Sequence, residues 1–259
     1  MIILDSYSGR FGNQVIAYNN LRQIANLMQE DWWTPPWAGE HIFQGSTGNI
    51  KSLNGLLLYK PSIELLLQDD KTVIESLTGK VTVIEPSYLG NLTFRFMRKN
   101  PRDFLKNAPV RIENRVSIHF RGTDFFQWNP PSILPFEYYE ESIRLCLREV
   151  KFPDFMLFTD DIGLDSFKMT VELLDKENLS WSLGPSSLTR DFMDDFQELS
   201  RSEIIISSPS TFAISAGMVG NSKIIHSKSW IDSRVSENDT FWVNLRESEN
   251  SFYRIWREV

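Results

Sequence analysis

The clearest β-strand of the chain opens the sequence VSIHFRGTD, which spans residues 116–124. Alternation along this strand places His119 and Arg121 on the same side of the predicted sheet. A charged side chain at the tip of a buried strand is costly without a partner, and arginine presents a planar fork that suits phosphate oxygens. The pattern therefore predicts either a phosphate contact at Arg121 or an ion pair between Arg121 and Asp124 that pins the loop.

Further short apolar strands follow in the second half of the chain, separated by stretches with helical spacing. The predicted strands are Val116–Phe120, Phe155–Thr159, Glu203–Ser207 and Lys223–His226, and the predicted helices are Phe136–Val150, Leu164–Leu174 and Arg190–Leu199. This alternation indicates a parallel sheet with helices on both faces. Because such sheets bind ligands outside the carboxyl ends of their strands, the residues that follow each strand are the candidate site.

The first half begins in the same way, with a buried strand at Ile2–Leu4 and a helix from about Asn13 to Gln29. After that the pattern is weaker. It favours at most an edge strand at Trp32–Trp37, helices at Leu53–Leu67 and Pro101–Lys106, and a strand at Val81–Ile84. The sequence thus predicts an α/β protein of two unequal Rossmann-like halves, residues 1–110 and 111–259.

Composition excludes several classes of protein. The 259 residues carry a net charge of −7, so the chain is a poor candidate for nucleic-acid binding, although a local basic pocket is still allowed. A single cysteine, Cys146, allows no internal disulfide, and three separated histidines make no zinc cluster. With neither an export signal nor a membrane-length apolar stretch, we expect a soluble cytoplasmic protein.

The first strand–helix turn contains a second candidate loop, SGRFGNQ at residues 8–14. Gly9 and Gly12 allow the backbone to turn tightly and to approach a ligand, and the following helix offers N–H groups to an anion. The loop matches neither the Walker sequence nor the dinucleotide fingerprint. The alternative is an ordinary turn in which Ser8 or Asn13 only caps the helix.

Two more loops follow predicted strands. Asp160 can accept the paired N–H donors of a guanine edge, whereas helix capping is the preferred interpretation of Asp161. The hydroxyls of Ser210 and Thr211, with Phe212 beyond them, form either an anion site at a helix N-terminus or a simple cap. The small residues after them predict a helix packed very closely on the sheet. No Asp-x-Asp motif occurs in the sequence, so the manganese motif of metal-dependent sugar-nucleotide transferases is missing.

Taken in order, these loops resemble those of the GDP-fucose-dependent fucosyltransferases. Residues 9–14, 119–124 and 206–212 correspond to the three motifs of the α-1,2-fucosyltransferases, over roughly Ser8 to Trp230. The opening GRFGNQ is identical to that of the protein O-fucosyltransferases, and PPW at residues 35–37 follows at a similar distance, as it does there. Two departures are Gly122, in place of a second arginine, and Thr211, in place of a serine.

The resemblance implies a GT-B-like fold with two Rossmann-like domains that face each other across a cleft. It implies an inverting, metal-independent transferase that moves fucose from GDP-fucose to a hydroxyl of a glycan or glycoconjugate, with no cofactor. Residues 1–110 would form the acceptor side, and residues 111–259 would bind the nucleotide sugar. The missing second arginine puts the α-1,2 linkage, and to a lesser degree the donor, in question.

The same resemblance assigns roles to single residues. Arg121 would hold the β-phosphate and stabilise the departing GDP, and Asp124 is the nearest candidate for a general base. The other donor contacts would come from Gly12 and Asn13 in the first half, His119 at the nucleoside, Asp160 at guanine, and Ser210, Thr211 and Phe212 at the pyrophosphate and base.

The sequence gives little information about which residues bind the acceptor glycan. Trp33 and Trp37, with Phe126 beside the arginine loop, could present aromatic platforms to a sugar, although such clusters more often belong to a core. We expect a small or lipid-linked glycan as acceptor. Two alternatives stay open: the same fold acting on another nucleotide sugar, and a catalytically silent glycan-binding module.

Overall fold

The structure is a computed structural model, and it describes residues 1–45, 57–66, 68–85, 104–123, 125–128, 130, 133–186, 191–227 and 253–256. By their contacts, the residues divide into two compact units, Met1–Ala108 and Pro109–Val259. Each unit contains a β-sheet whose strands are parallel, except for one antiparallel edge strand in the second unit. The predicted α/β class is therefore confirmed.

The first unit contains a four-stranded sheet in the order β2-β1-β4-β3, with every described pairing parallel. Its elements are β1 (Ile2–Leu4), α1 (Phe11–Met28), β2 (Trp32–Trp33), a 3-10 turn (Ala38–His41), β3 (Leu58–Tyr59), α2 (Ile63–Leu66), α3 (Asp70–Leu77) and β4 (Val81–Ile84). The strands predicted at Ile2–Leu4 and Val81–Ile84 are confirmed, as is the edge position of Trp32–Trp33. The first helix begins two residues earlier than predicted.

One helix predicted in the first unit is wrong within the described residues, and a second is described only in part. In place of one helix over Leu53–Leu67, the chain forms β3 and then the single turn α2. Pro61 explains the break, because a proline pushes the residue before it out of the helical region. Of the other predicted helix, Pro101–Lys106, the first three residues lie outside the described residues, and Leu105 forms an antiparallel bridge with Phe43. The helix α3 was not predicted, although Asp69 caps it by accepting from the Thr72 N–H.

The second unit contains a six-stranded sheet in the order β10-β9-β8-β5-β6-β7. Its elements are β5 (Ile112–Phe120), α4 (Phe125–Trp128), α5 (Phe136–Glu149), β6 (Asp154–Thr159), α6 (Asp165–Lys176), β7 (Trp181–Leu183), α7 (Phe192–Ser200), β8 (Ser202–Ser207), α8 (Thr211–Gly220), β9 (Lys223–Ser227) and β10 (Tyr253–Trp256). All four strands predicted here are present. The two that the sequence did not predict, β7 and β10, are the edge strands.

Helices cover both faces of this sheet, as predicted. On one face, Phe120 packs against Tyr139 of α5 with ring centroids 4.4 Å apart. On the other face, the ring of His119 lies 5.9 Å from that of Phe212 at the start of α8. A Cβ added at Gly217 would lie 2.5 Å from Ile224 Cδ1 of β9, so α8 does pack very closely on the sheet.

Candidate functional site

The carboxyl ends of β5, β6 and β8 bring several of the predicted site residues together at one edge of the second sheet. The register aligns His119 with Phe158 on one side and with Ser207 on the other. Since the three strands are parallel, the loops that begin at Arg121, Asp160 and residue 208 leave the sheet side by side. The sequence therefore predicted correctly that these loops converge.

Arg121 is held in a defined direction at this edge. Its Nη1 lies 2.9 Å from Oδ2 of Asp160, and its Cζ lies 5.3 Å from the centre of the Phe125 ring. The side chain is 15% exposed. The alternative predicted from the sequence, an ion pair with Asp124, falls outside the described residues, as does the role of Asp124 as a base. Within the described ranges, the guanidinium is paired with the carboxylate of Asp160, the first residue after the neighbouring strand β6.

Asp160 binds three consecutive residues of the arginine loop. Its Oδ1 accepts the Gly122 N–H at 2.8 Å. Its Oδ2 accepts the Thr123 hydroxyl at 2.8 Å, in addition to Arg121 Nη1. The contact of Asp160 with guanine stays a prediction, but three of the acceptor positions of this carboxylate are occupied by the loop that carries the arginine.

The next carboxylate has a local role. Asp161 was expected to cap the following helix, and this expectation is wrong, because α6 has no side-chain cap and its N-cap residue is Leu164. Asp161 Oδ1 instead accepts the Gly163 N–H at 2.7 Å and closes the turn before the helix. A two-residue bond of this kind is typical of aspartate in turns.

The glycine that replaces a second arginine is buried and tightly packed. A Cβ added at Gly122 would lie 2.9 Å from Leu164 Cδ1 and 3.0 Å from Asp161 Cβ. These are distances at which the neighbours would have to shift. An arginine at this position, as in the α-1,2 pattern, would therefore require the side chains of Leu164 and Asp161 to move.

His119 is buried and is hydrogen-bonded to the loop that follows β8. Its Nδ1 lies 2.7 Å from the Ser208 hydroxyl, and its carbonyl accepts the Ser208 N–H at 3.0 Å. Burial lowers the pKa of His119 to about 4, an effect that the nearby charge of Asp160 opposes. The imidazole is therefore neutral at pH 7, so it can serve the site as a hydrogen-bonding group and not as a cation.

The N-terminus of α8 lies at the same edge. Ser210 is its N-cap, and the Ser210 hydroxyl accepts the Phe212 N–H at 3.3 Å. This is the capping role that the sequence left open as an alternative. Thr211 and Phe212 are half-buried, and the ring of Phe212 also contacts that of Phe196 at 5.5 Å. A helix N-terminus in this position favours an anion, whatever the role of the serine.

In the first unit, the turn before α1 presents Asn13 at the surface. Gly9 has φ +73°, and a Cβ added there would lie 2.3 Å from Asn13 Nδ2, so glycine is required at that position. Arg10 is the N-cap of α1 and makes no side-chain cap bond. The alternative in which Ser8 or Asn13 caps the helix is therefore wrong, and the donor contacts of Gly12 and Asn13 stay predictions.

The predicted aromatic platforms differ in how much surface they expose. Trp37 stacks on Tyr7, Tyr18 and Phe43 at 5.0, 5.1 and 5.4 Å, as a core residue would, and it keeps part of its surface exposed. Trp33 is half-buried on the edge strand β2, and Phe126 is 52% exposed. Their contact with an acceptor is untested.

Reasoning from the sequence missed one carboxylate beside this edge. Asp195 on α7 accepts the Ser186 N–H at 2.9 Å and also binds the Ser186 hydroxyl, in the loop that follows β7. Burial raises the pKa of Asp195. A carboxyl group that has a raised pKa and is hydrogen-bonded to the loop after a strand is a candidate site residue. In the sequence it is one acidic residue among several in a helical pattern, so nothing singled it out.

The described residues contain neither a metal-binding cluster nor a membrane-spanning helix. No cluster of three or more histidine, cysteine, aspartate or glutamate side chains is placed there to hold a metal ion. No helix in that part of the chain is long and apolar enough to cross a membrane.

Comparison with known proteins gives matches by structure alone. No family model matches the sequence, and no curated protein sequence matches it. Among solved structures, POFUT1 in complex with GDP-fucose is similar at a TM-score of 0.52 and 11% identity, over 85% of this chain and 94% of that one. At this identity, the similarity shows a shared fold.

Two further solved structures are similar at lower scores. FUT1 of Arabidopsis thaliana, a mutant in complex with GDP, has a TM-score of 0.49 and 11% identity over 98% of this chain and 73% of that one. The fucosyltransferase NodZ of Bradyrhizobium has a TM-score of 0.48 and 14% identity over 91% and 96%.

Proposed function

We propose that this protein is a glycosyltransferase that moves fucose from GDP-fucose to a hydroxyl of a glycan or glycoconjugate. The observation that carries the proposal is Arg121, a guanidinium held at the carboxyl edge of a parallel sheet by Asp160. The N-terminus of α8 lies at the same edge, so a cation and a helix dipole are both available to a diphosphate. The fold shared with POFUT1, solved with GDP-fucose, supports this choice of ligand.

The proposed reaction is a displacement with inversion at the anomeric carbon. The acceptor oxygen forms a bond to C1 of fucose, the bond from C1 to the β-phosphate oxygen breaks, and its electron pair leaves with GDP. Negative charge therefore grows on the β-phosphate as this bond stretches. Arg121 stabilises that charge without a metal ion, because a fixed guanidinium needs no reorganisation during the step. The acceptor hydroxyl loses its proton, for which Asp124 stays the predicted base.

The remaining donor contacts are assigned by the loops in which they lie. His119 is neutral and offers a hydrogen bond to the nucleoside, while Thr211 and Phe212 line the pyrophosphate and base. Ser210 shapes the same loop as the cap of its helix. Gly12 and Asn13 would contact the donor from the first unit. No step of the proposal depends on a cofactor.

A second candidate function keeps the reaction and changes the donor. It is favoured by Gly122, which stands where the α-1,2 pattern has a second arginine and which packs closely against Leu164. A different arrangement of cations around the phosphates could select another nucleotide sugar or another linkage. For the acceptor we propose contacts with the half-buried Trp33 and with Phe126, which is 52% exposed, because a sugar face packs on aromatic surface. We place the reaction in the cytoplasm.

The proposal is tested first by measuring how much nucleotides stabilise the protein against unfolding, and then by measuring which sugar nucleotides it consumes. A nucleotide at a hundredfold excess over its dissociation constant should stabilise the protein by about 2.7 kcal/mol. GDP should do so, and UDP at the same concentration should do so far less. A panel of sugar nucleotides should show GDP-fucose consumed in preference to the others. Equal stabilisation by GDP and UDP would refute the donor. Glycan binding without consumption of any donor would favour the silent module.

A further inference from the structure

The carboxylate of Asp160 is occupied by hydrogen bonds from the arginine loop. Three donors of that loop converge on its two oxygens: the Gly122 N–H on Oδ1, and the Thr123 hydroxyl and Arg121 Nη1 on Oδ2, all at 2.8–2.9 Å. An ionised carboxylate offers about four acceptor positions. A carboxylate used in this way has little capacity left for the paired N–H groups of a purine edge.

We infer that Asp160 is a positioning residue, which sets the direction of the Arg121 guanidinium for the β-phosphate and does not bind the base. The inference rests on the proposed function, because it takes Arg121 as the group that contacts the diphosphate. It also gives Asp160 a role different from the one that the sequence predicted.

The sheet explains why this carboxylate can do so. Phe120 and Thr159 are register partners on adjacent parallel strands, so the residues after them leave the sheet next to each other. Asp160 thus reaches the arginine loop from the neighbouring strand, without a long connection. The Gly122 N–H and the Thr123 hydroxyl also donate hydrogen bonds to this carboxylate. These two bonds fix its orientation independently of its ion pair with the arginine.

Positioning matters because a free arginine side chain is mobile. Ordering it costs rotamer entropy. If Asp160 and the ring of Phe125 hold the guanidinium in advance, that cost is not added when the diphosphate binds. The stabilisation that the ordered guanidinium provides should be largest in the transition state, where the charge on the β-phosphate is largest.

The test is a double-mutant cycle on the turnover of GDP-fucose by the full chain. Asp160→Asn should lower kcat about tenfold or more in the wild-type background, and by less than twofold in the Arg121→Ala background. A group that acts through Arg121 loses its effect once Arg121 is gone. A merely structural role would lower turnover equally in both backgrounds, and that result would overturn the inference.

Base recognition is measured separately, as the ratio of the dissociation constants of inosine diphosphate and GDP. Inosine lacks the 2-amino group of guanosine. The ratio should be the same in the wild type and in Asp160→Asn. A preference for GDP that disappears in Asp160→Asn would mean that this carboxylate binds the base, and it would also overturn the inference.

Asp161→Asn is the matched control, because an asparagine keeps the oxygen that accepts the Gly163 N–H. Its turnover should stay within about twofold of wild type. If Asp160→Asn does not fold, Asp160→Glu replaces it: the charge is kept and displaced by one methylene, and the loss should again be confined to the background that contains Arg121. Failure of the proposed function would be recognised earlier, as a wild-type protein that does not consume GDP-fucose.

Discussion

Replacing Arg121 tests the proposed chemistry most directly. Arg121→Ala removes the guanidinium that is paired with Asp160 at 2.9 Å, and Arg121→Lys keeps the charge but loses the planar fork. Loss of a single donor that stabilises transition-state charge costs on the order of 10²–10³ in turnover. We therefore expect that much loss in Arg121→Ala, and little recovery in Arg121→Lys.

The structure also limits the effect of this change on stability. The two side chains of the pair are 15% and 25% exposed, and Asp160 keeps its bonds to the Gly122 N–H and the Thr123 hydroxyl when the arginine is removed. The lost pair should therefore contribute about 1 kcal/mol or less to the free energy of unfolding. In a chain of this size, that lowers Tm by about 2–4 °C.

The assay is release of GDP from GDP-fucose at saturating acceptor, with Tm measured on the same preparations. Arg144→Ala is the matched control, since Arg144 is an exposed arginine on α5 whose ion pair with Glu140 is local to the helix. It should retain full turnover. Wild-type turnover in Arg121→Ala, or a fall in Tm large enough to unfold the protein, would show that Arg121 is structural and would refute the mechanism.

Three further predictions concern packing and protonation. Gly122→Ala should lower the free energy of unfolding by about 1–3 kcal/mol, because the new Cβ meets Leu164 at 2.9 Å. Chemical denaturation measures this loss, and an unchanged midpoint would mean that the loop relaxes freely. Since burial lowers the pKa of His119 to about 4, the unfolded chain binds more protons there between about pH 6.5 and pH 4. Stability should therefore fall as the pH falls through that range, and less steeply in His119→Gln; equal slopes in denaturation curves would contradict this. Gly9→Ala, at φ +73° and against Asn13, should cost about 1 kcal/mol and lower turnover, whereas full turnover would argue against the predicted donor contact of that loop.

The strands that form the middle of each sheet could be predicted from the sequence. Ile2–Leu4 is a continuous apolar run, and Val116–Phe120 carries an apolar residue at every second position; both strands are buried on both faces, as central parallel strands are, so the signal is dense and local. The edge strand Trp181–Leu183 is three residues long and mostly exposed, and it carries no comparable pattern. The helix predicted through Pro61 is wrong because the apolar spacing there continues across a proline, which disfavours the helical conformation for the residue before it.

The sequence by itself determined which loops meet, because position after a strand is enough to place Arg121, Asp160 and Ser210 at one edge of a parallel sheet. Only the tertiary structure decided what each side chain binds there. Asp160 and Arg121 are 39 residues apart in the chain and 2.9 Å apart in space, and no local pattern records such a pair. Hydrogen bonds between neighbouring strands depend on register, and register is set by the packing of the whole sheet.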